Sequence, residues 1–507
     1  MKTELSNYLL GIDLGTNACK AALFDTHGRL AAEASCEIPI QQQKPEWAEQ
    51  DPASWWKTAT RVIKQVLAST KSTGEEIIGI GVDSQRRSVV PLDSMGQELM
   101  NSIVWLDRRA EHQFREIEKR FSRDAILEMT GLQLNQSATA AKILWIKENR
   151  PSVFRKTSKF LCAKDFLVYR LTENISTDYS MASKTLLFDI NALKWSQIIC
   201  ENLKIPVETL PQVFESTEVV GEIVTEAAKS TGLLRGTPVV AGGGDRPCEA
   251  VGSGIMRNGL TIGTGTATAF TATGLQPKID FGGRVDCCCH VIPRMWVLET
   301  SITTTGACLR WFRDNFAHEE METSRRTGID SYKYLDALAG QIGAGCNGLF
   351  YYPYPKGTRA PTFNELSKGV FFGQTLDHGK GHFARAVLEA IAFQYVGTID
   401  LFKRFDVDVR NISMVGGEAK SKLWNQIKAD VLGVPIKIPE VTDAAALGSA
   451  ILAGVGVGEY DGVESAVKKI VKIREVYRSN RKLCKEYRRV YEKYWKTYEI
   501  IERAYGL

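Results

Sequence analysis

The strongest constraint on the fold is a hairpin plan that occurs once in each half of the chain. Residues 8 to 25 read YLLGIDLGTNACKAALFD, which predicts a strand, a tight Gly-Thr turn and a second strand, with a further turn at His27 and Gly28. Residues 259 to 274, GLTIGTGTATAFTATG, repeat the order of apolar strand, small-residue turn and strand. A plan repeated within one chain indicates internal duplication, so the sequence predicts two related lobes.

Helices and strands alternate between and after these hairpins. Asp51 and Pro52 occupy the N-cap and first helical position of a predicted helix, and EIIGIGVDSQ (76 to 85) reads as a buried strand. Residues 430 to 458 give a short strand and then an alanine-rich helix, whose small residues permit close helix packing. This alternation predicts α/β lobes.

The C-terminal stretch has the period of an amphipathic helix, with Lys and Arg on its other face. We interpret its aromatic stripe as packing rather than as a binding surface. The stripe consists of Tyr487, Val490, Tyr491, Tyr494, Trp495 and Tyr498.

Composition excludes several classes of function. The 507 residues carry a formal net charge of +5 and no basic stripe before the C-terminus, which argues against a nucleic-acid partner. The N-terminal apolar stretch runs into an Asp and a turn, unlike a signal peptide, and no apolar run reaches the length of a membrane span. We therefore expect a cytoplasmic protein without a membrane partner.

Eleven cysteines are scattered along the chain, and only Cys287, Cys288 and Cys289 cluster, beside His290. Zinc sites usually space their ligands as CxxC, whereas neighbours on a strand point to opposite faces. The sequence favours reduced thiols over a metal site here.

Turns of Gly and Thr at strand ends bring backbone N–H groups up to a phosphate, because no Cβ blocks the approach. Such turns occur at residues 15 to 17, 263 to 266 and 416 to 417. Each alone also fits a plain hairpin turn, but together they favour phosphate binding. The chain has no GxxxxGK[ST] and no strand-linked GxGxxG before a helix, which excludes a P-loop enzyme and a dinucleotide fold.

Two carboxylates accompany these turns. Asp13 ends the first strand, where it could hold a hydrated Mg²⁺ against phosphate oxygens, although a turn-capping role also fits. Asp245 follows three glycines, which we interpret as room for a ligand to approach the backbone. A carboxylate there could accept the proton of an attacking hydroxyl, and phosphoryl transfer asks for positioning, a metal and one base.

Six motifs in order then resemble the FGGY carbohydrate kinases, from about residue 8 to 458. After Asp13-Leu14-Gly15-Thr16, with Lys20, they are EWAEQDPASWW (46 to 56), IVWLDRRA (103 to 110), TDYSMASKTLLFD (177 to 189), AGGGD (241 to 245) and GGEAKSKLWNQIKADVLGVPI (416 to 436).

The resemblance implies an ATP- and Mg²⁺-dependent sugar or polyol kinase with two duplicated RNase H-like (actin-like ATPase) domains and a cleft between them. The sugar-binding lobe would span residues 1–254 and the ATP-binding lobe residues 255–507. Dimers are common among relatives, which implies a possible homodimer.

The resemblance also assigns roles by motif. Asp245 is implied as the catalytic base, and Asp13 as the residue that positions Mg²⁺. The residues implied to contact ATP are Gly15, Thr16, Asn17, Lys20, Gly263, Thr264, Gly265, Gly306, Arg310, Gly417 and Ser421. Asn17 departs from the commoner Ser or Thr but keeps a polar side chain. The residues implied to bind the sugar are Gln85, Arg86, Arg87, Trp105, Asp245 and Arg246.

The substrate is less constrained. Gln85 and Arg86 match glycerol kinases, but Arg87 replaces an acid, Ser137 replaces a tyrosine and Arg246 replaces a glutamine. Arg87 also fits a solvated surface charge. The later motifs resemble xylulokinases and autoinducer-2 kinases more closely. We expect a ketose or polyol phosphorylated at a primary hydroxyl, with xylulose first and glycerol, erythritol or autoinducer-2 as alternatives.

Two other classes compete with a kinase. An actin-like chaperone ATPase or filament would share the hairpins but not AGGGD, EWAEQDP or TDYSMAS. A non-catalytic sugar sensor would not need both phosphate turns together with Asp13 and Asp245.

Overall fold

The structure is a computed structural model that describes residues 7–355, 357 and 366–504. The chain forms two compact units, and neither is continuous in sequence. The first comprises Met1–Arg257, Thr273–Leu298 and Asp443–Val471, and the second comprises Asn258–Ala272, Glu299–Thr442 and Lys472–Leu507. The predicted boundary at 254/255 divides the sequence by its family resemblance, whereas these two units are defined by contacts in the structure. The boundary therefore stays a prediction.

The first unit is built on a mixed sheet whose central strand is Tyr8–Leu14. This strand pairs antiparallel with Ala18–Asp25 and parallel with Ile77–Ser84, in the register that places Asp13 opposite Asp83. The neighbouring strands run in the order Val219–Glu222, Pro238–Val240, Ile77–Ser84, Tyr8–Leu14, Ala18–Asp25 and Leu30–Glu37, and Gly243–Gly244 also pairs with Ile77–Ser84.

Helices and shorter strands surround this sheet. The first long helix begins as predicted, with the Asp51 side chain accepting from Ala53 N and Pro52 in its first turn. The helices of the unit are Pro52–Thr70, Glu111–Arg120, Arg123–Thr130, Thr139–Asn149, Pro151–Lys156, Ala163–Thr172, Tyr179–Ala182, Gln197–Leu203, Thr225–Thr231, Asp245–Gly252, Ala444–Gly456 and Val463–Ile470. Its further strands are Glu49–Gln50, Val90–Leu92, Ser102–Ile103, Lys159–Leu161, Ser176–Asp178, Phe188–Asp189, Lys194–Trp195, Gln212–Phe214 and Asp286–Cys289.

The second unit repeats the pairing pattern of the first. Its hairpin Leu260–Thr264 and Thr268–Gly274 is antiparallel, and Leu260–Thr264 also pairs parallel with Ile412–Gly416. Ile412–Gly416 pairs parallel with Ile436–Pro439, which pairs antiparallel with Ile473–Tyr477. In the first sheet, Ile77–Ser84 likewise pairs parallel with Pro238–Val240, which pairs antiparallel with Val219–Glu222. Six of the seven strands of this sheet run in the order Trp296–Ile302, Thr268–Gly274, Leu260–Thr264, Ile412–Gly416, Ile436–Pro439 and Ile473–Tyr477. The predicted duplication is confirmed.

Six α-helices of the described ranges complete the second unit. They are Gly306–Phe316, His318–Thr327, Ser331–Gly340, Lys380–Lys403, Lys422–Leu432 and Arg481–Ala504, and a small hairpin joins Phe350–Tyr352 to Val370–Phe372. Among the helices in the described part of the chain, none combines the length and the apolar composition that a bilayer span requires.

The aromatic stripe of the C-terminal helix Arg481–Ala504 packs into the second unit, which confirms that interpretation. Tyr494 is fully buried and stacks on Tyr352 at a ring-centroid distance of 4.5 Å. The Tyr487 hydroxyl lies between Arg385 Nη2 at 2.6 Å and Glu389 Oε1 at 2.9 Å. Apolar contact and a satisfied polar cluster thus hold this helix in place.

The alanine-rich helix Ala444–Gly456 lies against the first sheet, because glycines on the strands leave room for its backbone. A Cβ on Gly11 would collide with the carbonyl oxygen of Ala446, and one on Gly81 with that of Ser449. Gly448 likewise admits the backbone of Cys248 in the helix Asp245–Gly252. The predicted close packing of this helix is confirmed.

We expect Gly81→Ala to destabilise the first unit by roughly 1–3 kcal/mol or more, because the new methyl group meets backbone that cannot rotate away. Thermal unfolding checks this as a lowered melting temperature. Gly462→Ala is the matched control, because no atom lies within 4 Å of a Cβ built there. Equal melting temperatures for the two variants would contradict the packing argument.

Candidate functional site

Three strands of the first unit end together and bring three acidic residues to one edge of the sheet. Asp13 and Asp83 are in register on neighbouring parallel strands, and Gly243 and Gly244 pair with Asp83 and Ser84. Asp245, the residue after Gly244, begins the helix Asp245–Gly252. Since parallel strands present their carboxyl ends at the same edge, this edge is the natural ligand site of the unit.

The carboxyl groups of Asp13 and Asp83 lie close enough to shift each other's pKa. Burial, then the like charges of Asp443 and Asp245, raises the pKa of Asp13 to about 7, while Lys20 opposes the shift. Burial and the charge of Asp13 raise the pKa of the fully buried Asp83 well above its usual range, although Ser449 Oγ donates to its Oδ2 at 2.6 Å. The edge therefore brings several carboxyl groups close together, with Lys20 as a cation beside them.

Lys20, a predicted phosphate contact, forms an ion pair with Asp443, Nζ to Oδ2 at 2.7 Å. Asp443 is the N-cap residue of the helix Ala444–Gly456, so this lysine also links the first hairpin to that helix. About a third of each side chain is exposed (38% and 31%), which leaves the ammonium group reachable by an anionic ligand.

Asp245 keeps a 38% exposed side chain while its Oδ1 is held in place. This oxygen accepts from Arg86 Nε at 3.0 Å and from the Arg246 backbone N–H at 2.8 Å. One carboxylate oxygen is thus oriented by fixed donors, and part of the group remains open to a reactant.

The three glycines before Asp245 serve internal packing, and their interpretation as space for a ligand is wrong. A Cβ on Gly244 would collide with the side chain of Arg86, and one on Gly243 with Val291. Gly242 has φ +71°, and a Cβ there would collide with the carbonyl oxygen of Val82. The small residues let Arg86 reach Asp245 across the backbone.

The first phosphate turn and the predicted sugar loop form one hydrogen-bonded network. Thr16 Oγ1 accepts from the half-exposed Trp105 indole N–H at 2.7 Å and donates to Gln85 Oε1 at 3.3 Å. Gln85 Nε2 donates to Gln50 Oε1 at 2.8 Å, and Gln50 Nε2 donates to Thr16 O at 2.7 Å. In the same turn, Gly15 is partly buried, and the Asn17 side chain is exposed while its carbonyl accepts from Ile38 N.

Arg87 is mostly buried and ion-paired, so the alternative of a solvated surface charge is wrong. Its Nη2 lies 2.7 Å from Asp286 Oδ2, and its Nη1 donates to Ser137 Oγ at 3.2 Å. The residue has φ +64°, and its carbonyl accepts from the buried Lys142 at 2.6 Å. Lys184 donates to the same Asp286 oxygen at 2.9 Å.

In the second unit, the turn after Leu260–Thr264 is held against the glycines at residues 416 and 417. Gly417 N donates to Thr264 O at 3.0 Å, and Thr264 Oγ1 donates to Val415 O at 2.6 Å. Gly416 has φ +86°, and a Cβ there would collide with Thr264 O, whereas nothing lies within 4 Å of a Cβ on Gly417. A surface almost free of side chains results, as phosphate or nucleoside approach requires.

The other predicted nucleotide contacts lie close to this turn. A Cβ on Gly306, the first residue of the helix Gly306–Phe316, would collide with Gly265 O. Arg310 Nη2 donates to Thr266 Oγ1 at 2.9 Å, which places this cation at the turn. Ser421 caps the helix Lys422–Leu432 and donates to Asp336 Oδ2 at 2.7 Å, so its hydroxyl already has structural partners.

The cysteine cluster follows Asp286, the ion-pair partner of Arg87, on one short strand. None of the eleven cysteines forms a disulfide, and Cys287, Cys288 and Cys289 are buried on one strand. Lys184 Nζ donates to Cys288 Sγ at 3.1 Å. Within residues 7–355, 357 and 366–504, no group of three or more His, Cys, Asp and Glu side chains is arranged to hold a metal ion.

Several residues of the site have no counterpart among the sequence predictions. Asp83 and Asp443 add charge beside Asp13, and Ser449 binds Asp83. The available signal was that two apolar strands, ending in GIDL and GVDS, both have an aspartate as their next-to-last residue. Asp443 and Ser449 come from a distant segment, and only the fold brings them here.

Comparisons with known proteins agree with this arrangement. The FGGY family of carbohydrate kinases matches with its N-terminal domain over residues 8–252 and its C-terminal domain over residues 260–457. The chain is 31% identical to the xylulose kinase of Bacillus subtilis (strain 168) over 492 residues, 97% of this chain and 96% of that protein. It is 29% identical to the gluconokinase of the same organism over 504 residues, 99% and 97% of the two chains.

The structural likeness is equally complete. The crystal structure of xylulose kinase from Rhodospirillum rubrum matches with a TM-score of 0.87 at 27% identity, over 99% of this chain and 100% of that chain. The predicted fold class, two duplicated α/β domains of the actin-like ATPase type, is therefore confirmed. Since both family domains match in order and the relatives align over nearly the whole chain, the protein belongs to the FGGY family of carbohydrate kinases.

Proposed function

We propose that this carbohydrate kinase phosphorylates a primary hydroxyl of a neutral ketose or polyol, with xylulose as the first candidate and Asp245 as the general base. Family membership makes it a phosphotransferase that acts on an alcohol group and implies ATP as phosphoryl donor. The single observation that carries the role of Asp245 is its fixed Oδ1 on a partly exposed carboxylate at the strand ends.

Asp245 would act by accepting the proton of the sugar hydroxyl as that oxygen attacks the terminal phosphorus of ATP. Arg86 and the Arg246 N–H hold one carboxylate oxygen, so the group need not reorient when the sugar arrives. Such preorganisation lowers the cost of reaching the reactive geometry.

The sugar would lie between Asp245 and the network of Thr16, Gln85 and Trp105. The half-exposed Trp105 offers an apolar face for the carbon chain, and its indole N–H is already bound to Thr16. Arg246 follows Asp245 on the same helix and would donate to sugar oxygens.

Charge favours a neutral sugar over a sugar acid. Arg86 meets Asp245, and Arg87 shares Asp286 with Lys184, so each arginine has a carboxylate partner without an anionic substrate. The chain is 31% identical to the xylulose kinase of Bacillus subtilis and 29% identical to the gluconokinase of that organism. This difference supports the same preference for a neutral sugar.

Mg²⁺ fits the acidic edge of the first unit. Asp13 is a hard oxygen ligand at this edge, and the carboxyl groups of Asp83 and Asp443 lie beside it. Because Mg²⁺ keeps several waters and binds substrate phosphates, one or two carboxylates suffice. When bound, the ion would neutralise charge on the phosphates, and Asp13 would hold it while Lys20 and the turn at residues 15 to 17 contact ATP. A cytoplasmic location and a homodimer belong to the same proposal by analogy with relatives.

A coupled assay for ADP release tests the activity over xylulose, other ketoses, gluconate, glycerol and erythritol. We expect xylulose or another neutral member of the panel to give the highest kcat/KM. ADP release that no member raises above the basal rate would overturn the proposal in favour of a sugar sensor, and a preference for gluconate would overturn the charge argument.

Asp245→Asn should lower kcat by about 10²- to 10⁴-fold, as expected for loss of a general base, while ATP still binds. Steady-state kinetics and nucleotide titration measure the two effects. The control is Asp461→Asn, since Asp461 is exposed and lies outside the site. A near-normal kcat in Asp245→Asn would remove this residue from its role.

A pair of arginine variants separates the two ligands. Arg246→Ala should raise the sugar KM more than the ATP KM, because Arg246 follows the base on the helix Asp245–Gly252. Arg310→Ala should do the reverse, because Arg310 donates to the turn of the second unit. Initial rates with each substrate varied give both constants, and equal effects on both KM values would contradict the assignment.

Glu249 should make the free energy of unfolding depend on pH. Burial and then the charge of Asp245, one helical turn away, raise its pKa from 4.5 to about 8. Between these values the folded protein retains a proton that the unfolded chain has lost, so the free energy of unfolding falls as pH rises through this window.

Glu249→Gln should therefore show a smaller decrease in melting temperature between pH 5 and pH 8 than the parent protein. Thermal unfolding across that range measures it, and Glu75→Gln, at an exposed carboxylate, is the control. Parallel curves for the parent and Glu249→Gln would contradict the raised pKa.

A further inference from the structure

A buried polar cluster lies behind the segment that leads to Asp245, and the proposed mechanism makes no use of it. Lys164, Asp165, Asp178 and Ser180 are each at most 1% exposed. Lys164 Nζ lies 3.0 Å from Asp165 Oδ1 and 3.3 Å from Asp178 Oδ1. Burying two carboxylates and an ammonium group costs stability unless ion pairs and hydrogen bonds of good geometry offset the loss of hydration.

This cluster holds both ends of the segment 241–244. Lys164 Nζ donates to the carbonyl of Ala241 at 2.6 Å, and Gly244 N donates to Ser180 Oγ at 2.8 Å. The next residue is Asp245. The intervening glycines have no side chains to anchor them. The path of the backbone is fixed by these two hydrogen bonds, by the pairing with Ile77–Ser84, and by backbone bonds from Ala241 N to Glu218 O and from Gly242 N to Ser216 O, which substitutions of the Ser216 side chain leave in place.

The direction of the Ser180 hydroxyl is determined by its neighbours. Gly244 supplies the N–H, so the Ser180 oxygen accepts that bond and gives its own proton to Asp178 Oδ2 at 2.6 Å. Asp178 Oδ2 also accepts from Ser180 N at 2.9 Å and from Ser216 Oγ at 3.0 Å. A carboxylate with this many donors holds Ser180 in one rotamer.

We propose that Ser180 is a positioning residue for phosphoryl transfer, which holds the Gly244 amide so that Asp245 meets the sugar hydroxyl. The inference rests on the proposed role of Asp245. It assigns to the TDYS segment a task in catalysis that differs from simple stabilisation of the fold.

Ser216 provides a matched control, because it differs from Ser180 in one relevant respect. Both serines are buried, and both donate to the same oxygen of Asp178. Only the Ser180 side chain also contacts the segment that precedes Asp245. A purely structural cluster would therefore respond similarly to loss of either hydroxyl.

The experiment compares Ser180→Ala with Ser216→Ala in the full chain. We expect Ser180→Ala to lower kcat by about 10- to 100-fold, because a small displacement of a catalytic group has effects of this size. The KM values for sugar and ATP should stay within about twofold, since ground-state binding is kept. Ser216→Ala should keep kcat within about threefold at a similar melting temperature.

Equal losses of kcat in the two variants, or a loss confined to KM, would overturn the inference. If Ser180→Ala does not fold, Ser180→Cys serves instead, because the thiol keeps nearly the same volume and is a weak acceptor. The expected kcat of Ser180→Cys lies below that of Ser216→Ala, and an unchanged kcat would overturn the inference equally.

A double variant separates this inference from the role of Asp245. When Asp245→Asn has removed the base, adding Ser180→Ala should lower the remaining rate by less than about twofold, because residues that act as a unit are not additive. A full additional loss would show that Ser180 acts independently of Asp245 and would overturn the inference. A near-normal Asp245→Asn rate would instead remove the base itself.

Discussion

The first unit depends on one close contact, the packing of the backbone of the helix Ala444–Gly456 on strands that lack side chains. Gly11 and Gly81 admit this helix to the sheet, and Gly448 admits the neighbouring helix Asp245–Gly252. The same helix supplies Ser449 to Asp83, while Asp443 at its N-cap meets Lys20. The glycines that let this helix pack on the sheet therefore also allow its polar groups, Asp443 and Ser449, to lie at the strand ends.

Acidic residues concentrate at these strand ends because parallel strands deliver them there together. The result is a carboxyl pair at Asp13 and Asp83, and a third carboxylate, Asp245, held by Arg86. A general base and a cation ligand can both be carboxylates, so the surroundings of each carboxylate distinguish the two roles. Asp245 is oriented by donors and partly exposed, whereas Asp83 is fully buried, which raises the pKa of its carboxyl group.

Sequence patterns anticipated the features that depend on local order. The two hairpins, the capped helix at Asp51 and the amphipathic C-terminal helix follow from turn chemistry and periodicity, and the family motifs identified the fold. The glycines before Asp245 were misinterpreted, because what fills the space beside them, Arg86 and Val82, depends on tertiary contacts. Ser180 and Asp443 escaped notice for the same reason. Their partners are remote in sequence, and no local pattern records such pairs.

The discontinuity of the first unit has a consequence for how the protein is made. Its sheet is encoded before Arg257, but the helix that covers Gly11 and Gly81 belongs to the segment Asp443–Val471. On the ribosome, the early strands are made long before this helix, so the unit cannot finish folding until Asp443–Val471 has been synthesised. A nascent chain that stops before Asp443 would leave the glycine-lined face of the sheet uncovered.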